Sequence, residues 1–149
     1  MKNVELSLVK NLLKNPEHLG NLIEEYTRKY NPKKSTVEQD ILIRYKLGVV
    51  GRILLKQDPG DVWLVGEGYA ICRIIPDDYN TFTYWIYNVY NPAQYSGFPR
   101  WFMKQMEQRA KEWGCKYTLV TSRRKNNKAF CKALGSEWRI HSTILKKNL

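Results

Sequence analysis

The apolar positions of the first 57 residues recur at the three- and four-residue spacing typical of helices. The segment VELSLVKNLLKN predicts a first helix, and Asn15-Pro16 predicts the start of a second, with the asparagine as N-cap and the proline in the first turn. Ser35 and Glu38 have the spacing of a capping box and predict a third helix. We expect the second and third helices to bury the apolar residues Leu19, Leu22, Ile23 and Tyr26, and Ile41, Leu42 and Tyr45, respectively.

After residue 57 the pattern changes to the two-residue alternation of strands. The preceding stretch GVVGRILLKQD fits either a helix or a strand. The runs DVWLV, YAICRII and TFTYWIYNVY, separated by turns that contain glycine or proline, predict three consecutive antiparallel strands.

The remaining segments alternate between helix and strand. RWFMKQMEQRAKEW predicts a helix with Phe102, Met106, Ala110 and Trp113 on one stripe, ended by Gly114. KYTLVTS predicts a strand, NNKAFCKAL a short helix, and EWRIHSTILK a final strand. This order predicts an α+β (mixed α/β) fold in one domain of residues 1–149, mainly helical over 1–57 and strand-rich over 58–149.

Composition narrows the function classes. The three cysteines form no C-x-x-C pair, and neither they nor the two histidines have metal-ligand spacing, so we expect a reduced protein without a metal. No segment has the apolar core of a signal peptide or the length of a membrane span, which predicts a cytoplasmic protein with no membrane partner.

The net charge of +11 is concentrated at one end of the chain. Residues 1–99 contain 12 basic and 11 acidic residues, whereas residues 100–149 contain 13 and 3. A solvated basic surface explains this imbalance, but so does a phosphate-rich cofactor, an acidic partner or nucleic acid. Basic residues are most concentrated in the segment TSRRKNNK. Its basic side chains are either solvated or bind phosphate, and they are Arg123, Arg124, Lys125 and Lys128.

The loop QYSGFP, residues 94–99, connects the third predicted strand of the meander to the next helix. Glycine and proline in such a loop often serve only to end one secondary-structure element and begin the next. The alternative is a pocket for an anion, because a glycine turn that leads into a helix N-terminus directs backbone N–H groups towards one point.

From Val89 onward the sequence resembles the GNAT acyltransferases, whose motif is Gln/Arg-x-x-Gly-x-Gly/Ala after a strand ending in valine. Gln94 and Gly97 match the motif, and the predicted order of helix, strand, helix and strand after it matches the second half of that fold. VWLVGEGYAICRII resembles the second and third strands of the family. The resemblance implies a central mixed sheet with an antiparallel meander and flanking helices, in a divergent, phage or mobile-element member of that superfamily.

The resemblance also implies a cofactor, acetyl-CoA or another acyl-CoA, with its pyrophosphate on the loop and its pantetheine arm along the strand Tyr84 to Val89. The cofactor-binding residues expected from it are Tyr87, Val89, Gln94, Tyr95, Ser96, Gly97, Phe98, Pro99, Arg124 and Asn127. The aromatic residues of TFTYWIYNVY either contact this arm or belong to the core.

The sequence departs from the family pattern at three points. Pro99 occupies the last glycine or alanine position of the motif and has no N–H to donate. Cys131 stands where the family often has a tyrosine that protonates the leaving thiolate, so it is either that acid or a small buried residue. The strand from Thr81 to Val89 lacks a carboxylate, which leaves Glu67 and His141 as candidate bases.

Two functions follow as hypotheses. The first is an N-acetyltransferase that transfers an acetyl group from acetyl-CoA to an amine on a small molecule or a protein. The second is a catalytically inactive, virus-derived module whose basic last third binds nucleic acid or an acidic protein.

Overall fold

The computed structural model describes residues 4–11, 16–77, 79–93, 96–121, 127–135, 137–139 and 147, with the backbone alone for Pro16 and Asn127. The elements in chain order are β1 (Leu6–Leu8), α1 (Pro16–Lys29), α2 (Thr36–Leu54), β2 (Gly60–Val65), β3 (Gly68–Pro76), β4 (Phe82–Tyr90), α3 (Phe98–Glu112), β5 (Tyr117–Val120) and α4 (Asn127–Leu134). The strands form one sheet in the order β1-β2-β3-β4-β5. The α+β mixed-sheet prediction is therefore confirmed.

Helices cover the two faces of this sheet separately. On the face covered by α1 and α2, called here the α1/α2 face, the buried cluster includes Ile23, Val50, Val62 and Ile71. On the opposite face, called here the α3/α4 face, α3 and the end of α4 cover Val65, Ala70, Cys72, Tyr84 and Ile86. Because β3 is central, its successive residues are buried in alternation on the two faces.

The local signals for α1, α2 and the meander are confirmed. Leu19, Leu22 and Ile23 are buried, and Tyr26 is partly buried against the same cluster. The Ser35 hydroxyl accepts a hydrogen bond of 3.2 Å from the Glu38 backbone N–H, as the capping box predicts. GVVGRILLKQD, which fitted two structures, continues α2 as far as Leu54.

Two predictions in the N-terminal part are wrong. Residues Leu6–Leu8, expected in a helix, form β1, which pairs antiparallel with β2 at the edge of the sheet. Leu6 and Leu8 have the spacing of a strand and Leu6 and Val9 that of a helix, and pairing with the edge of β2 decides between the two. On α2, Ile41 and Tyr45 are 61% and 55% exposed, because the helix turns Ile43 and Val50 towards the sheet instead.

The helix α3 follows its predicted stripe over Phe102, Met106 and Ala110, all buried, and ends before Gly114, whose φ is 78°. Trp113 departs from the prediction, because it is 41% exposed and contacts the interior through its indole N–H. The predicted last strand, EWRIHSTILK, lies almost wholly outside the described residues. None of the described helices has the length and apolar character needed to cross a membrane.

Candidate functional site

The strand β4 has two different edges. Along one edge it pairs with β3 from Phe82 to Tyr90. Along the other it runs parallel to β5 only from Thr83, opposite Tyr117, to Ile86, opposite Val120. Within the described residues, the last four positions of β4 therefore have no strand partner on the β5 side.

A β-bulge occurs where β4 loses this partner. Ile71 pairs with Asn88 and Cys72 with Ile86, which makes Tyr87 the extra residue on β4. The extra residue of a bulge is left out of the ladder and re-aims the side chains that follow it. Tyr87 and Asn88 consequently both lie on the α1/α2 face, where the Asn88 amide oxygen accepts a hydrogen bond from Tyr69.

The N-terminus of α3 follows the free end of β4. Gly97 is the N-cap, and its φ of 72° lies in the left-handed region that favours glycine. A Cβ on Gly97 would meet no heavy atom within 4 Å, and Ser96 and Pro99 are exposed beside it. Because no side chain caps this described turn and no acidic residue stands in it, its N–H groups and the helix dipole favour an anion.

At this turn Phe98 can contact a ligand through its backbone but not through its side chain. Its ring is buried and stacks on Phe102 at 5.3 Å between centroids. Pro99 stands in the first turn and donates no N–H, as its residue type requires.

The hairpin turn between β2 and β3 packs against the end of β4. A Cβ on Gly68 would lie 1.7 Å from the carbonyl oxygen of Tyr90, so only glycine allows this approach. The next residue after β4, Asn91, has a buried side-chain oxygen with no hydrogen-bond partner among the described residues. A buried amide oxygen of this kind lacks a donor, and it lies between the bulge and the start of α3.

Aromatic side chains surround the bulge on the α1/α2 face. The rings of Trp85 and Tyr87 are 5.1 Å apart at 75°, and the Trp85 indole donates a hydrogen bond of 3.0 Å to the Thr121 hydroxyl. The Arg73 guanidinium lies 5.9 Å from the Trp85 ring and 5.8 Å from the Tyr87 ring. Burial raises the pKa of Tyr87, the neighbouring Tyr45 phenol raises it further and Arg73 opposes both, so the hydroxyl stays neutral at pH 7.

The two catalytic candidates lie on other elements. Glu67 is exposed in the β2–β3 turn, and the rise per residue places it about 13 Å along the sheet from the bulge. Cys131 is partly buried on α4, the helix whose Leu134 and Phe130 pack on the α3/α4 face. Gln94, Tyr95, Arg124 and His141 lie outside the described residues, as does the side chain of Asn127.

Among the predicted cofactor-binding residues, Tyr87 and Val89 thus lie at the end of β4 that has no β5 partner in the described structure, and Ser96 to Pro99 form the start of α3 after it. The structure adds three side chains that the sequence reasoning missed, namely Arg73, Asn91 and Tyr45. A signal existed for Arg73, because it is the only charged residue in the apolar run YAICRII. The positions of Asn91 and Tyr45 depend on the bulge and on the rotation of α2, respectively, and neither feature can be predicted from a local sequence pattern.

Comparison with known proteins identifies the fold. No family model matches the chain, and no curated protein matches it by sequence. A GCN5-related N-acetyltransferase from Ralstonia eutropha superposes with a TM-score of 0.70 at 12% identity, covering 98% of this chain and 99% of that one. A proposed acetyl transferase from Pyrococcus furiosus has a TM-score of 0.67 at 17% identity, covering 97% and 100%.

A third solved structure is an aminoglycoside acetyltransferase from an uncultured soil metagenomic sample, in complex with sisomicin. It superposes with a TM-score of 0.64 at 14% identity and covers 99% of this chain and 97% of its own. The chain therefore has the GNAT acetyltransferase fold along its whole length, as the resemblance implied.

Proposed function

We propose that this protein binds an acyl-CoA, with acetyl-CoA as the simplest case, and transfers the acyl group to an amine. One observation carries the proposal: β4 leaves β5 after Ile86, bulges at Tyr87 and leads directly to the uncapped N-terminus of α3. A strand edge without a partner offers backbone groups to an extended chain, and the helix start offers N–H groups to a phosphate.

The residues at both ends of this path fit a phosphopantetheine arm. At the phosphate end, a Cβ on Gly97 would meet no heavy atom of the described structure within 4 Å, so the backbone of the turn is open on that side. Beside the strand, the unpartnered oxygen of Asn91 is an acceptor for one of the amide N–H groups that a pantetheine chain carries. We assign the pyrophosphate to the turn from Gln94 to Pro99, and the arm to Tyr87 and Val89.

The reaction is attack of a neutral amine nitrogen on the thioester carbon, with cleavage of the carbon–sulfur bond. The amine loses a proton and the departing thiolate gains one, so the site must position two groups and move two protons. In this proposal Cys131 is the proton donor to the thiolate, and Glu67, about 13 Å along the sheet from the bulge, accepts the amine proton through a chain of water molecules. Arg124 and Asn127 complete the cofactor contacts, and residues 1–149 act as one domain.

The alternative is a binding module without activity, which would use the basic last third for nucleic acid or an acidic protein. The cluster of Arg123, Arg124 and Lys125 on which it depends lies outside the described residues. The three solved structures described above are each named as acetyltransferases, which favours the enzyme. An aminoglycoside is one class of amine acceptor consistent with those names.

Calorimetric titration with acetyl-CoA at moderate salt tests the proposal, with Gly97→Val as the variant. A β-branched residue at a φ of 72° is strained, so the backbone must move and take its N–H groups with it. We expect at least about a tenfold loss of affinity, equivalent to about 1.4 kcal/mol.

Gly114→Val is the matched control, because Gly114 stands at the other end of α3 with a φ of 78° and open space at its Cβ. It should impose similar strain and leave the affinity for acetyl-CoA unchanged. Absence of binding to the native protein would remove the proposed function. Equal affinity in the Gly97 variant would mean that the turn is only a connection.

A further inference from the structure

Arg73 is a charged residue on a central strand, with unusual neighbours. Across β2 it faces Gly60, which has no side chain, and across β4 it faces Trp85. Its guanidinium is partly buried and lies near the Trp85 and Tyr87 rings at 5.9 and 5.8 Å. Arg73 therefore has aromatic rings on its β4 side, and on its β2 side it faces a glycine against which the Ile53 side chain packs.

No carboxylate within the described part of the chain pairs with Arg73. The structure records no ion pair and no hydrogen bond for its guanidinium there, whereas buried or partly buried arginines are usually paired. A cation–π contact with a ring provides no oxygen or nitrogen acceptor for the five N–H groups of a guanidinium. This fork of donors matches the two oxygens of a carboxylate.

The walls beside Arg73 are aromatic and held in place. The Trp85 ring is fixed by its hydrogen bond to Thr121, and the Tyr87 ring packs edge-on against it. Tyr45, which is 55% exposed on α2, is close enough to the Tyr87 phenol to raise its pKa. An apolar group bound against these rings would have its anionic end at the guanidinium.

We propose that the amine acceptor of this protein also carries a carboxylate, which Arg73 binds through two hydrogen bonds while the apolar remainder packs on Trp85, Tyr87 and Tyr45. The acceptor class is thus a small, amino-acid-like molecule. This inference rests on the proposed function, which brings the thioester to the bulge at Tyr87. Arg73 itself disfavours a polycationic acceptor, as does the net charge of +11.

A matched pair of acceptors tests the proposal. Acetyl transfer from acetyl-CoA, followed by release of the free thiol, is measured with L-phenylalanine and with L-phenylalaninamide, which differ only at the carboxylate. The amine of the amide loses its proton more readily, so chemical reactivity alone favours the amide. We expect kcat/KM to be at least about tenfold higher for the acid, mainly through KM, and sisomicin to be the poorest acceptor.

Arg73→Gln should abolish the preference for the acid by raising its KM, and should change kcat/KM for the amide by much less than for the acid. Arg52→Gln is the control, because Arg52 is an exposed arginine already paired with Asp58 at 3.0 Å, and its loss removes the same charge. An equal loss for acid and amide in Arg73→Gln would show that Arg73 only supports the rings, and would overturn the proposal.

Binding measurements distinguish failure of the proposed acyl-CoA site from failure of the proposed carboxylate pocket. Acetyl-CoA should bind native protein and Arg73→Gln equally, and N-acetyl-L-phenylalanine should bind the native protein more tightly than its amide does. If acetyl-CoA does not bind but the carboxylate ligand binds through Arg73, the proposed function fails and the carboxylate pocket stands. If acetyl-CoA binds and neither ligand nor acceptor depends on the carboxylate, the pocket is wrong and the acyl-CoA site stands.

Discussion

Arg109 and Arg73 lie on opposite faces of the same sheet, and each contacts aromatic rings. Arg109, on the α3/α4 face, lies 5.5 Å from the Trp113 ring and donates two hydrogen bonds of 2.9 and 3.0 Å to Asp61. Arg73, on the α1/α2 face, has the rings without a carboxylate in the described structure. Within the described structure, one arginine therefore has a carboxylate partner and the other does not.

The surroundings of Asp61 explain the difference. Its side chain is 3% exposed, and it also accepts hydrogen bonds from the Tyr84 hydroxyl at 2.7 Å and the Trp113 indole at 2.9 Å. The hydrogen bonds to Asp61 raise the pKa of Arg109, and they outweigh burial, which acts in the opposite direction. The α3/α4 face therefore satisfies its own polar groups, whereas the face around Arg73 leaves donors for a ligand.

The largest effect we expect is that of Asp61→Ala on the free energy of unfolding. The change leaves the Arg109 charge, the Tyr84 hydroxyl and the Trp113 indole without their acceptor, and breaking such a pair typically costs about 3–5 kcal/mol. Urea denaturation measures it. Asp58→Ala, which breaks the exposed pair with Arg52, should cost less than about 1 kcal/mol. Similar costs for the two variants would mean that the Asp61 cluster is not the structural counterpart of the Arg73 site.

A smaller effect, shared by both faces, is expected at alkaline pH. Burial raises the pKa of Tyr69 on the α1/α2 face and of Tyr84 on the α3/α4 face. A raised pKa in the folded state means that the neutral phenol is favoured there. Its contribution is complete below pH 10, the ordinary tyrosine pKa, and is lost as the pH rises above it. Each tyrosine should therefore lower the free energy of unfolding by about 1.4 kcal/mol at pH 11.

Denaturation of native protein and Tyr69→Phe at pH 9 and pH 11 tests this expectation. The variant also loses the hydrogen bond to Asn88, and this loss lowers its free energy of unfolding equally at pH 9 and pH 11. Between pH 9 and pH 11 the free energy of unfolding should decrease less in Tyr69→Phe than in the native protein. The difference should be about 1.4 kcal/mol, the contribution of one tyrosine. An identical decrease would show that Tyr69 ionises freely in the folded protein.

The fold was more predictable than the site, because its signals are local. The alternation over 60–90, the capping box at Ser35 and the glycine after α3 each follow from neighbouring residues, and each is confirmed. The β1 strand was missed because Leu6 lies two residues from Leu8 and three from Val9, which fits a strand and a helix alike, and only pairing with the edge of β2 decides. The exposed stripe of Ile41 and Tyr45 was missed because α2 has apolar residues on both sides, so composition does not show which side is buried.

The site depends on long-range register. Which residue of β4 bulges is fixed by its pairing with β3, and that choice directs Tyr87 and Asn88 to one face. That no described carboxylate pairs with Arg73 while Asp61 pairs with Arg109 likewise depends on which strands and helices meet. An arginine in an apolar run signals that something must satisfy the charge, but the sequence alone does not tell whether a side chain or a ligand does so.

The smallest expected effect is that of Arg73→Gln on the free energy of unfolding. Loss of the guanidinium removes the contacts with the Trp85 and Tyr87 rings, worth about 0.5–1 kcal/mol, and strands no partner charge. Arg109→Gln is the matched variant and leaves Asp61 buried without its cation, so it should cost about 3–5 kcal/mol. Urea denaturation of both variants measures the contrast. A cost for Arg73→Gln equal to that for Arg109→Gln would mean that Arg73 holds the fold together, since a residue reserved for a ligand should be nearly dispensable for folding.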